Sequence, residues 1–164
     1  MTTTMIEDVV AAFAGAARRC QDGGLDGVEL HAAHGYLIHQ FLSPATNVRE
    51  DDYGGSTENR ARFLIEILQA VRGEVGDFPI GVRLSGTDFI EGGVDPAEAA
   101  RIAKLVEPLV DFVDVSMSSY WRFHKFLSTL DDPLGYEIES SEHCLLYTSP
   151  SPRDRSVSRM PSSA

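Results

Sequence analysis

Between residues 6 and 21, Val9, Val10, Phe13, Ala16, Ala17 and Cys20 recur at helical spacing among polar neighbours, which predicts an amphipathic helix. The glycines of "DGG" end it, because glycine tolerates the left-handed turn beyond a helix. "DGVELHA" then reads as a short buried strand, and "YLIHQFL" as one or two helical turns closed by Ser43-Pro44. The polar, glycine-bearing "TNVREDDYGGS" is a loop. Ser56 is a suitable N-cap for the next helix, whose stripe is Phe63, Leu64, Ile67, Leu68 and Val71, with Gly76 as its stop. "PIGVRLS" is a second buried strand and "GTDFIEGG" a loop. Asp95 caps "PAEAARIAKLVEPL", with Pro96 at the first helical position and Glu98 completing a box-like start. "VDFVDVSMS" is the third strand.

Helices of this length between strands imply crossover connections and a parallel sheet. Such a sheet is either open and doubly wound or closed into an eight-stranded barrel. No glycine-rich dinucleotide turn follows any of the strands, which favours the barrel. The strand ends carry His31, Arg83 with Ser85, and Ser116 with Ser118, and barrel sites are built at that end. The expected fold class is therefore α/β: a partial (β/α)8 TIM barrel, about three strands of a parallel barrel sheet with flanking helices.

Composition narrows the partners. The chain has 164 residues, 43% of them hydrophobic, and a formal net charge of -11. No basic stripe is available to neutralise phosphates, so nucleic acid is not an expected partner. Neither is a membrane: no apolar run approaches the roughly 20 residues of a spanning helix, and no basic amphipathic face marks a surface binder. "MTTTMIEDVV" lacks the features of a signal peptide, and two distant cysteines, Cys20 and Cys144, make no disulfide framework. A cytoplasmic location is the expectation.

From Cys144 the pattern is lost. "CLLYTSPSPRDRSVSRMPSSA" has no period, three prolines and many serines, as a disordered tail would. Its two ends also resemble the in-frame translation of a transposon-based sequencing adapter, with "RSV" as the sample index between them. The expected division is a native segment, 1–143, and a non-native tail, 144–164.

The stretch "GVELHAAHGYLIHQFLSP" gathers His31, His34, Tyr36 and His39. Taken alone, His31 and His34 are as consistent with polar packing as with chemistry, and a His-x-x-His pair plus His39 could also ligate a metal. No nearby Asp or Cys completes such a set, so no metal residues are expected, and His39 reads as a surface bystander. Arg83 alone could be an ion-pair partner. "YGGS" and Arg60 read as shaping the loop and capping the helix. Trp121, Arg122 and His124 of "SYWRFHKF" could line a substrate mouth or simply pack.

The longer run "HxxHGYL…QFLSPxTNxRxDxYGGSxENRxRF", followed by "FPIGVRLS", resembles the Old Yellow Enzyme family of FMN-dependent NAD(P)H:flavin oxidoreductases, from about residue 6 to 143. The resemblance implies a (β/α)8 barrel with FMN as cofactor, NAD(P)H as reductant and an activated alkene, an enone or dienoyl thioester, as substrate. By the same resemblance His31 and His34 bond the substrate oxygen, Tyr36 donates a proton to the alkene carbon, and Arg83 contacts the pyrimidine edge of the flavin. Some members carry Asn where His34 stands. The chemistry is coherent: hydride delivery builds negative charge on the carbonyl oxygen, and two aimed imidazole donors stabilise it. A phenol with pKa near 10 suits the closing protonation, and an arginine suits an anionic reduced flavin. The alternative function is a metal-dependent TIM-barrel hydrolase using the His31/His34 pair.

Such a barrel needs about 250 residues. The implied parent is an ene-reductase-type oxidoreductase, free to form a homo-oligomer, of which this chain is a central fragment covering the fourth to sixth strands. An unclosed sheet exposes two bare edges. The isolated chain is thus expected to be poorly stable, to bind FMN weakly or not at all, and to be inactive.

Overall fold

The computed structural model describes residues 1–126 together with 133, 135, 138, 141 and 142; the tail from Cys144 lies outside these. Three parallel strands, β1 (Val28–Ala32), β2 (Ile80–Ser85) and β3 (Phe112–Ser116), stand in that order in one open sheet. The helices are α1 (Thr3–Asp22), α2 (Leu37–Leu42), α3 (Thr57–Val75), α4 (Pro96–Val106) and the short α5 (Phe123–Phe126).

Periodicity explains the packing. In α3 the predicted stripe, Phe63, Leu64, Ile67, Leu68 and Val71, is fully buried between α1, α4 and the sheet. Leu30, Ile80, Val82 and Leu84 meet it from the strands. The opposite face carries the polar residues: Glu29, Gly81 and Phe112 share one register row, and His31, Arg83 and Asp114 the next. Gly81 makes room for the Phe112 ring, which a Cβ there would meet at 2.1 Å and displace. Alternation along each strand thus separates an apolar helix-facing side from a chemical side.

The helix ends follow the expected signals. Ser56 accepts from the Asn59 amide at 3.3 Å, and Asp95 from the Glu98 amide at 2.7 Å. The box at α4 is only half formed, because the Glu98 carboxylate bonds Thr57 and Arg101 and pairs with Arg60. Arg60 is itself buried and donates to the Leu42 carbonyl, tying α3 to the end of α2. β3 is shorter than the pattern predicts, for Pro108 closes a 3-10 turn before it and Ser118 adopts φ 76 after it. Replacing Ser56 by alanine removes one cap acceptor and should cost about 1 kcal/mol. The check is a lower urea midpoint at an unchanged m-value.

Candidate active site

The site stands at the C-terminal ends of the strands. β1 ends at Ala32, and the chain then turns through two left-handed residues, His34 (φ 63) and Gly35 (φ 82). This double turn folds the His34 ring back onto His31 and sends the chain into α2 with Tyr36 at its N-cap. Several bonds satisfy its backbone, among them Gln40 Nε2 donating to the Gly35 carbonyl at 2.8 Å. The His34 amide donates to Ser85 Oγ at 2.9 Å, the Tyr120 amide to the His34 carbonyl at 2.8 Å, and the Gly35 amide to His39 Nδ1 at 2.7 Å. A Cβ on Gly35 would meet the Trp121 ring at 2.8 Å, so the segment after β3 lies directly on the turn.

His31 Nε2 and His34 Nδ1 are 3.3 Å apart, and His34 Nε2 is 2.8 Å from Ser116 Oγ. The Tyr36 ring lies 5.3 Å from that of His31 and is half exposed. Three of the four residues singled out in the sequence therefore meet, and the fourth, Arg83, is the register partner of His31. Arg83 is ion-paired to Asp114 at 2.6 Å and to Glu29 at 3.0 Å, so its plain reading as an ion-pair partner also holds. Burial pushes the Glu29 carboxyl up and Asp114 adds to this, while Arg83 opposes it.

Burial, His31 and the Arg83 cation push His34 down to about 4, and burial with Arg83 lowers His31. Both rings are accordingly neutral near pH 7, each offering one N–H and one lone pair. An unfolded chain would protonate His34 near its ordinary 6.5, so the folded state binds fewer protons between about pH 6.5 and about pH 4. This group therefore weakens folding as pH falls through that window and has no effect above it. The His34 ring resonances should keep their neutral-form shifts from about pH 8 to about pH 5, which an NMR titration reads directly.

His39 corrects the sequence reading: it is 2% exposed, not a surface residue. The short α2 keeps Leu37 and Gln40 at the surface and turns His39 inward, against the loop after β2. Among the described residues no group of three or more His, Cys, Asp or Glu side chains could hold a metal. Asp88, fully buried in the turn after β2, was not singled out in the sequence. Its signal was local: its Oδ1 accepts from the Ile90 amide at 3.0 Å, an Asx turn. No helix among the described residues is long and apolar enough to cross a membrane.

Taken together, parallel strands joined by helices and a polar site at their C-terminal ends define a segment of an α/β-barrel enzyme. The model of the NADH:flavin oxidoreductase / NADH oxidase family matches residues 1–140. An NADPH dehydrogenase of Clostridium acetobutylicum is 46% identical over 145 residues, 87% of this chain and 41% of the relative. One from Bacillus pumilus is 51% identical over 143 residues, 87% of this chain and 40% of the relative. Among solved structures, a 2-naphthoyl-CoA reductase in complex with 2-naphthoyl-CoA superposes with a TM-score of 0.80 at 40% identity, covering 88% of this chain and 22% of that one. An old yellow enzyme homologue from Zymomonas mobilis gives a TM-score of 0.69 at 29% identity, over 92% of this chain and 41% of that one. The chain belongs to the NADH:flavin oxidoreductase / NADH oxidase family, the Old Yellow Enzyme family, whose members are FMN-dependent with NAD(P)H as reductant. It spans about two-fifths of the length of these curated relatives.

Proposed function

We propose that this chain is the substrate-binding part of an FMN-dependent NAD(P)H oxidoreductase that reduces activated alkenes, enones or α,β-unsaturated thioesters. The observation that carries this reading is the neutral His31–His34 pair, 3.3 Å apart with Tyr36 beside it. A carbonyl oxygen exchanges the ring–ring bond for two N–H···O bonds. With Ser116 O–H donating to His34 Nε2, the His34 proton is on Nδ1, where the oxygen arrives, and His31 becomes the second donor when its own proton is carried on Nε2. Charge developing on that oxygen strengthens both bonds, which is differential binding of the transition state. Tyr36, on the open side of the turn, holds the proton for the carbon next to the carbonyl.

The residues present fit a flavin in one respect. Arg83 lies in the row of His31, its guanidinium fixed by two carboxylates, and its Nη1 has no hydrogen-bond partner among the described residues. It would hold the electron-rich edge of the ring system. FMN, when bound and reduced, supplies hydride to the alkene carbon remote from the carbonyl. An acyl-CoA substrate is consistent with the naphthoyl-CoA reductase likeness. The full-length enzyme should oxidise NADPH in the presence of cyclohexenone and yield the saturated ketone; no turnover with enones or unsaturated thioesters would refute the reading.

We also propose that residues 144–164 are translated sequencing adapter, which the coding DNA decides by match or mismatch. Because the chain spans about two-fifths of the length of its relatives, we further propose that the 164-residue chain purifies without stoichiometric FMN and without activity. A yellow one-to-one complex would contradict this.

A further inference from the structure

We propose that His39, backed by Asp88, is a positioning residue for the catalytic turn: by holding the Gly35 amide it sets where His34 and Tyr36 stand. This rests on the alkene-reductase reading of that turn. Left-handed backbone at a non-glycine residue such as His34 persists only where its surroundings over-determine it. Two of the bonds that do so reach His34 from Ser85 at the end of β2 and from Tyr120 in the segment after β3. The helix that the turn begins grips Gly35 from both sides, His39 accepting from its amide and Gln40 Nε2 donating to its carbonyl at 2.8 Å. Tyr36, the N-cap of that helix, makes no side-chain capping bond, and the His39 bond falls one residue before it, on Gly35.

The chemistry requires both ends of the ring. A backbone amide only donates, so Nδ1 is the acceptor and the ring proton is on Nε2. Nε2 is buried without a hydrogen-bond partner among the described residues, and its nearest anion is Asp88 Oδ2 at 3.7 Å. The adjoining cavity, about 10 Å³ and lined mainly by Leu42, Leu84, Val94 and Ile102, is at the lower limit for one water. Asp88 is therefore the group that orients the ring. Burial would raise its carboxyl, but contact with His39 and bonds from the Val94 amide, Ser43 hydroxyl and Ile90 amide hold it below its ordinary value. Its carbonyl accepts from Ser119 Oγ at 3.0 Å, so one buried residue links α2, the loop after β2 and the segment carrying Tyr120. An apolar side chain could fill the space of His39 but could not accept the Gly35 proton.

The test compares His39→Leu with His39→Asn in the full-length, flavin-loaded enzyme, since an asparagine Oδ1 can replace Nδ1 as acceptor. His39→Leu should slow oxidation of the reduced flavin by an enone about 10- to 10²-fold, through kcat more than KM. NADPH-dependent flavin reduction should stay within about twofold of wild type, and His39→Asn should recover most of the loss. Equal slowing of both half-reactions, no slowing, or no recovery in His39→Asn would overturn the proposal. The wild-type ring gives a readout independent of turnover: its ¹⁵N shifts should show a single Nε2–H tautomer. A protonated Nδ1 overturns the clamp, even if the variants fail to fold. A wild type that reduces no alkene yet shows the Nε2–H tautomer would sink the functional reading and leave the clamp standing.

Discussion

Replacing Tyr36 by phenylalanine is expected to slow alkene reduction by about 10²–10⁴-fold, the range of a positioned general acid, while NADPH still reduces the bound FMN at the wild-type rate. The two half-reactions separate because the phenol acts only when a carbon must be protonated. Its ring lies 5.3 Å from His31 and half of its surface is open, so losing one oxygen leaves the packing intact. Rapid-mixing spectroscopy of each half-reaction checks this. Loss of both rates together would assign Tyr36 to flavin binding instead.

The second large effect is expected at His34. Its ring is one of two donors for the oxygen that becomes negative, and removing one such donor costs about 10²–10³-fold in kcat. His34→Ala should show that loss, with an added stability cost because alanine must adopt φ 63 and Ser116 loses its partner. His34→Asn should retain most of the rate: asparagine tolerates the left-handed region and its amide still donates. Steady-state kinetics with one enone, alongside urea midpoints, separates the two contributions. An alanine variant as fast as wild type would remove His34 from the mechanism.

Local pattern carried the sequence reading a long way. The stripe of α3, the Ser56 and Asp95 caps and the buried run of β2 all answer to neighbours within a few residues, and each stands in the fold where its pattern places it. His31, His34 and Tyr36 were legible because one turn of chain brings them together. His39 was misread because burial of a six-residue helix is decided by what covers it, here α3 and the Asp88 turn, distant in sequence. The Glu98 carboxylate was misread similarly. Its spacing from Asp95 predicts a reciprocal cap, but Arg60, 38 residues earlier, is the buried cation it neutralises. Ser85 and Ser116 were noticed as strand-end residues, yet their roles toward the His34 amide and ring depend on strand register.

On this reading flavin hydride reduces an activated alkene that the paired imidazoles hold and Tyr36 protonates. The most direct measurement mixes the reduced full-length enzyme anaerobically with cyclohexenone in D2O. The flavin absorbance should return in proportion to the enone consumed, and the saturated ketone should carry deuterium at the carbon beside the carbonyl. A flavin that stays reduced, or a product without deuterium at that carbon, would contradict it.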